Sequence, residues 1–252
     1  MSVKDKIKIL FYPEPVRTGA KVFDYCESLG FETTNYINAE GITAVFFNHP
    51  NPQCIYQPDN DLLELSKKHR VYNINCNNTR KSYVADIHLK VFGYNASVGK
   101  KFKGKMVRKS DLQYKRCEVI VSKYSYARHL HYMKFINTYS NGYYSNFRVP
   151  YYDGAIPCVV QIKKKDPFDR KSKTKLVIKK PSFWFSPEEI KKIRQFCVAM
   201  GLDYGEIDVL RDKNDKRIYI IDVNDKPGMG IMGKSQKVRD IFTEGFKQMI
   251  LR

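Results

Sequence analysis

No stretch of this 252-residue chain is apolar for long enough to cross a bilayer. Its purely apolar runs are short, like Ile218–Ile221, against the roughly 20 residues a membrane-spanning helix needs. That excludes a spanning helix and predicts a soluble protein with no membrane partner. An export signal is missing too: Lys4, Lys6 and Lys8 are basic, but the apolar stretch Ile9-Leu10-Phe11-Tyr12 is brief and Pro13 ends it. A cytoplasmic location is the resulting expectation. The six cysteines, Cys26, Cys54, Cys76, Cys117, Cys158 and Cys197, stand singly with no CxxC among them. Neither a zinc ribbon nor a disulfide framework fits that spacing, and reduced, buried thiols do. Tryptophan occurs once and acids are scarce, 26 Asp+Glu against 45 Lys+Arg, for a net charge of +19. What is plentiful is apolar and aromatic mass, 42% and 13% of residues. That suffices for a real core and excludes wholesale disorder.

So large a positive charge draws anions by long-range attraction. It peaks between Lys163 and Lys180, where eight lysines and Arg170 face only Asp166 and Asp169. With Pro167 and Ser172 inside it, the segment reads as a solvated loop. Tyrosines interleaved with lysines can stack on bases, so a basic protein holding nucleic acid or another polyanion is one class of function. No RNP-like strand, zinc finger or basic heptad helix accompanies the charge, which leaves a solvated surface as its other explanation.

Apolar periodicity predicts a small α/β unit first. Strand Lys6–Tyr12 precedes a helix within Val16–Leu29, closed by Gly30. Strands Phe31–Tyr36 and Thr43–Phe47, helix Asp59–His69 and strand Val71–Asn75 follow. Asp59 or Asn60 is the expected N-cap, with Leu62, Leu63 and Leu65 inward. From about residue 79 the pattern changes. A helix over Thr79–Phe92 leads into strands at Lys105–Lys109, Glu118–Ser122, His131–Asn137, Tyr143–Pro150 and Ala155–Lys163, with Tyr152-Asp153-Gly154 as a hairpin turn. Ser186-Pro187-Glu188-Glu189 is a helix start with a capping-box spacing, and Gly201 stops that helix. Strands Tyr204–Leu210 and Arg217–Val223 and a helix from Ser235 complete the chain. The expected domains are 1–78 and 79–252, with a lobe at about 94–136 inside the second.

Residues Gly201 to Gly228 carry the chemistry: GLDYGEIDVLRDKNDKRIYIIDVNDKPG. If its two strands pair, Glu206, Asp208 and Leu210 share one face, and Asp222 and Asn224 likewise share a face where the second strand ends. Asp208, Asp222 and Asn224 then make a set of hard oxygen donors suited to Mg²⁺. Acids set among Ile207, Val209, Ile220, Ile221 and Val223 are costly if buried unpaired, and a cation offsets the cost. The alternative is a surface hairpin with acids on its wet face.

This segment also resembles the metal-binding signature of the ATP-grasp superfamily, a glycine-led strand carrying an acid followed by a strand ending in acid-Val-Asn-x-x-Pro-Gly. The resemblance implies an ATP-grasp fold of α+β lobes preceded by a small α/β domain, with ATP and Mg²⁺ bound between lobes. By the same resemblance Asp208, Asp222 and Asn224 hold the metal, Asp222 standing where glutamate is usual. Val107-Arg108-Lys109-Ser110 is similar to the strand whose lysine reaches phosphates, which implicates Lys109. The family's glycine-rich lid loop is replaced by Asp111-Leu112-Gln113-Tyr114-Lys115. Tyr132-Met133-Lys134-Phe135-Ile136 resembles the hinge that meets adenine, so Phe135 and Ile136 are assigned there. Arg148 and Lys163, with Lys164 and Lys165 beside it, match the basic position facing the transferred phosphate.

The implied activity is ADP-forming carboxylate–amine ligation through an acyl phosphate, on a small-molecule or peptide carboxylate and an amine acceptor. The charge surplus suits an acidic substrate, Tyr204 and Glu206 are acceptor-side candidates, and a homodimer is a mild expectation. Kinase-type phosphoryl transfer on the same scaffold is the second alternative. Two further patterns are set aside. Gly228–Gly233 spells GxGxxG, but too little chain follows it for a dinucleotide fold. His129 and His131 share a strand face but have no third ligand nearby in sequence.

Overall fold

The computed structural model describes residues 6–49, 55–111, 118–169, 172–228 and 230–252. Short apolar strands alternating with amphipathic helices form the first layer. β1 (Lys8–Pro13), β2 (Glu32–Thr34), β3 (Ile42–Asn48) and β4 (Val71–Tyr72) make a parallel sheet in the order β2-β1-β3-β4. Helices α1 (Lys21–Leu29) and α2 (Asn60–Lys68) are its crossovers. α1 starts later than its apolar spacing suggests and ends at Gly30, whose φ of 67° lets its N–H reach the Cys26 and Glu27 carbonyls. α2 is capped by Asp59, which accepts from the Leu62 N–H at 2.8 Å. Leu62 and Leu65 are buried under the sheet, but Leu63 points to solvent. On a nine-residue helix the inward stripe is too narrow for all three.

α3 (Lys81–Phe92) leads into a three-stranded antiparallel sheet, order β6-β5-β7, of β5 (Met106–Ser110), β6 (Val119–Val121) and β7 (Leu130–Lys134). A five-stranded antiparallel sheet follows, order β10-β9-β8-β11-β12. Its strands are β8 (Tyr144–Tyr152), β9 (Val159–Lys164), β10 (Thr174–Lys179), β11 (Tyr204–Arg211) and β12 (Ile218–Asn224). The turn after β8 has φ of 47° at Asp153 and 86° at Gly154. Tyr152 and Ala155 exchange backbone hydrogen bonds of 2.9 and 3.0 Å across it. Positive φ at both central residues is what a two-residue hairpin turn of matching twist requires. α4 (Pro181–Trp184) and α5 (Pro187–Ala199) separate β10 from β11, and a 3₁₀ turn (Gly230–Lys234) precedes α6 (Gln236–Ile250).

The lysine-rich segment is not the loop expected from its charge. Thr174–Lys179 is an edge strand paired with β9 along its whole length. Its alternation explains this: Leu176 and Ile178 pack toward the core while lysines occupy the outer positions, and charged side chains suit an exposed sheet edge.

One face of the five-stranded sheet packs against α3 and α5 through Phe147, Val149, Ile207, Val209, Ile220 and Val223. α6 lies between the parallel sheet and the other face, so Phe11, Phe46, Val160, Phe242 and Phe246 share one core. Glu189 closes the capping box of α5, accepting from the Ser186 N–H at 2.9 Å. It also takes the Arg211 guanidinium in a two-pronged pair of 2.8 and 2.9 Å. Burial alone would raise the Glu189 carboxyl, but the hydrogen bonds and charge of Arg211 outweigh it and hold the group below its ordinary value. A carboxyl depressed in the folded state contributes stability above its unfolded pKa of about 4.3 and loses it as pH falls through the lower folded value. Glu189→Gln is therefore expected to lower the melting temperature at pH 7, and calorimetry from pH 7 to 3 should show the deficit shrinking as pH falls.

Candidate functional site

β11 and β12 pair with Asp208 directly opposite Asp222 and Glu206 opposite Asn224. Residues facing each other across an antiparallel pair lie on one side of the sheet, and positions two apart return to it. The four polar side chains therefore cluster on one face, while Ile207, Val209, Ile220 and Val223 are buried on the other. Apolar alternation fixes which side is which: slipping the register by one residue would turn the acids into the core.

Two strands and two helices answer this negative charge. Arg148 on β8 sits opposite Asp208 and donates to both its oxygens, Nε–Oδ1 at 2.8 Å and Nη2–Oδ2 at 3.0 Å. Its Nη1 also lies 3.6 Å from Glu206 Oε2. Burial would raise the Asp208 carboxyl, but Arg148 overrides that and holds it below its usual range, while Asp208 in turn raises the Arg148 pKa. Lys21, buried and resting 4.5 Å from the centre of the Phe242 ring, ion-pairs with Glu206. Lys81 does the same with Asp222. Lys109 on β5 is buried, with Glu118 at 3.5 Å as an ionic neighbour, and its charge, like that of Lys81, acts on Asp208.

Lys21 and Lys81 were not among the residues singled out from the sequence, yet they share a signal. Each is the first residue of its helix, α1 and α3, and neither helix has a side-chain cap from its own N-cap residue. A cation at a helix N-terminus opposes the dipole, so a lysine there marks a carboxylate arriving from elsewhere. α3 is capped from outside by Asp111, just past β5. Its Oδ1 accepts from the Ser82 N–H at 2.7 Å and its Oδ2 from the Ser82 hydroxyl at 2.9 Å.

Other sequence candidates fall around this cluster in different ways. Phe135 and Ile136 follow β7, where the three-stranded sheet meets β12. Ile136 is buried with Val107, Met133 and Tyr219, and the Phe135 N–H donates to the Lys105 carbonyl at 2.9 Å. Lys163 is not brought to the acids. β9 pairs Val160 with Arg148 and Lys163 with Ser145, so Lys163 lies on the opposite face of the sheet and Lys164 on the face of Arg148. Asn224 Oδ1 accepts from the Lys226 N–H at 3.2 Å. Tyr204 opens β11, fully enclosed by aromatic rings. Leu112–Lys115 lie outside the described residues. Of the histidine pair, His131 is 3.3 Å from the Ser97 hydroxyl.

Among the described residues no group of three or more His, Cys, Asp or Glu is assembled as a metal site. The hairpin offers a different set: the two facing carboxylates of Asp208 and Asp222 and the amide oxygen of Asn224, with Glu206 engaged by Lys21. All are hard oxygen donors. Mg²⁺ typically takes one or two protein carboxylates, the rest coming from phosphate and water, so these residues fit it. The buried pair makes a test of its own. Lys21→Met leaves the Glu206 carboxylate without its partner and should cost about 3–5 kcal/mol in urea unfolding, whereas Lys21→Met/Glu206→Leu should recover most of that.

No family model matches the chain, and no curated protein matches it in sequence. In three dimensions it is similar over nearly its whole length to solved structures. The ATP-grasp ligase PsnB complexed with a minimal precursor aligns with a TM-score of 0.64 at 12% identity, over 97% of this chain and 99% of that one. D-alanine–D-alanine ligase from Bacillus anthracis, complexed with ATP, gives 0.58 at 15% identity over 97% and 95%. The macrocyclase MdnC from Microcystis aeruginosa, bound with the precursor peptide MdnA, gives 0.57 at 10% identity over 98% and 99%. The chain has the ATP-grasp fold.

Proposed function

We propose that the protein is an ATP-dependent ligase that joins a carboxylate to an amine. The observation that carries this reading is the one-faced cluster of Asp208, Asp222 and Asn224 ringed by Arg148, Lys81 and Lys109. A polyphosphate and an anionic substrate brought together need several fixed cations, and phosphoryl transfer needs little else from a protein but position and charge. Supporting it, the ATP-grasp ligase PsnB, which is similar in fold, is known in complex with a minimal precursor, Mg and ADP, and with the precursor peptide PsnA2 and AMPPNP.

In this reading residues 1–78 form the N-terminal domain and 79–252 the nucleotide-binding region, with the lobe at about 94–136 covering the nucleotide. Lys109 and Lys81 neutralise phosphate oxygens, and Phe135 and Ile136 flank adenine where the lobe meets β12. Asp208, Asp222 and Asn224 would hold Mg²⁺, which when bound draws charge from the phosphates and fixes their orientation. A carboxylate oxygen of the substrate takes the γ-phosphoryl group and ADP departs. The amine then attacks the carbonyl carbon, forming the C–N bond as phosphate leaves. Arg148, on the same face, stabilises the charge of the acyl phosphate when its hold on Asp208 is shared with the metal. No protein nucleophile is involved. Lys164, rather than Lys163, shares that face.

The test is thermal stability with Mg-ATP, Mg-ADP and Mg-GTP on the wild type and on Asp208→Asn/Asp222→Asn. A ligand at about 100 times its Kd adds about 2.7 kcal/mol, a shift of several degrees at this size. The expected result is an adenine-selective, magnesium-dependent shift that the double variant loses, followed by ADP release with suitable acids and amines. An amide product separates ligation from phosphorylation of the acceptor, and no shift with any nucleotide overturns the proposal.

A further inference from the structure

The two facing carboxylates of the hairpin are already occupied by cations of the chain itself. Lys81 holds Asp222 through Oδ1. Arg148 takes both oxygens of Asp208, Nε–Oδ1 at 2.8 Å and Nη2–Oδ2 at 3.0 Å. Asp208 is not sealed off, for 18% of its side chain is exposed. A divalent cation arriving there meets a guanidinium on the same carboxylate. Like charges a few ångströms apart in a part-buried site repel strongly, so a metal and this two-pronged hold of Arg148 compete for Asp208.

The displaced arginine has a second place to go. Glu206 lies two residues before Asp208 on the same face of β11, opposite Pro150 where Asp208 is opposite Arg148. Its buried carboxylate is used at one end only. Oε1 is taken by Lys21, which is itself docked by the Phe242 ring and by its N–H on the Pro227 carbonyl. Oε2 has no hydrogen bond, and Nη1 of Arg148 stands 3.6 Å away. That gap is too long for a hydrogen bond. Closing it to the roughly 2.8 Å of a charge-assisted one takes a movement of under about 1 Å. A buried carboxylate oxygen without a donor is costly, so Oε2 gains what Arg148 gives up at Asp208. Lys21 sets the direction of the exchange: with Oε1 pinned, Oε2 is left on the side of the arginine.

We infer that Glu206 is a second seat for Arg148, to which the guanidinium passes when a divalent cation takes Asp208. In the metal-free protein Asp208 and Arg148 mask each other. With metal, Nη1 rests on Glu206, and the Nε–Nη2 edge, released from Asp208, is free for a bound anion. Glu206 is thus a positioning residue that acts through Arg148 and not on the metal. The exchange rests on the reading of Asp208 as a metal ligand, but it needs neither nucleotide nor turnover and is measured without them.

The experiment titrates the nucleotide-free protein with Mn²⁺, read from the EPR signal of the free ion, and with Mg²⁺, read from the NMR signal of the Arg148 Nε–H. Wild type is expected to bind Mn²⁺ at a site that Asp208→Asn loses. Lys21→Met/Glu206→Leu removes the second seat without changing net charge, and should weaken that binding about 10-fold. Arg148→Met removes the competitor and should tighten it by a similar factor. Adding Lys21→Met/Glu206→Leu to Arg148→Met should then change affinity less than about twofold, whereas a misfolded variant or a lost metal ligand would weaken binding in both backgrounds. Mg²⁺ should move the Arg148 Nε–H resonance from its hydrogen-bonded position. Equal losses in the two backgrounds, no tightening in Arg148→Met, or an unmoved resonance would each overturn the exchange and leave the metal reading standing. Absence of any Mn²⁺ binding that depends on Asp208 would reject both together.

Discussion

Carboxylates on neighbouring strands repel one another, and the pairing of β11 with β12 sets Asp208 against Asp222 with Glu206 and Asn224 beside them. Much of the architecture can be understood as the answer to that repulsion. Arg148 comes from the next strand, Lys21 from the first helix and Lys81 from the third. Each cation is tied to a different element, so the acidic face holds together pieces of the chain that are remote in sequence. Charge pairs of this kind are weak contributors to net stability but strict about geometry, and strict geometry is what a site for phosphates needs.

Aromatic packing makes the arrangement rigid enough to matter. Phe246 of α6 touches Tyr25 and Phe31 around α1, Phe46 of the parallel sheet and Tyr204 of the five-stranded sheet. The last helix of the chain thus fastens the first layer to the sheet that carries the acids. Lys21 can reach Glu206 because α1 is docked by this core and because its own N–H donates to the Pro227 carbonyl at 3.1 Å.

The parts visible in the sequence were those with a local cause. Period-two alternation across Tyr204–Leu210 and Arg217–Val223, with polar residues between, described the hairpin and its acidic face, each observed strand differing from that reading by a residue at its ends. Ser186 and Glu189 described a capping box that formed as spaced. Position in space was another matter. Lys21 and Lys81 lie 185 and 141 residues from their partners, beyond any pattern read along the chain. Whether Lys163 or Lys164 shares a face with Arg148 depends on strand register, and a single residue of register reverses the answer. The edge strand β10 was hidden because its lysines outweighed the alternation of Leu176 and Ile178 that sets its faces.

Asp111 deserves a mechanical reading. It continues from β5, the strand of Lys109, its N–H donates to the His129 carbonyl at 2.8 Å, and its carboxylate closes the N-terminus of α3, whose first residue is Lys81. The three-stranded sheet and α3 are therefore coupled like a lever and its pivot. The carboxylate of one residue thus ties the strand that carries Lys109 to the helix end that carries Lys81, and the placement of the two positive charges depends on the same pair of hydrogen bonds.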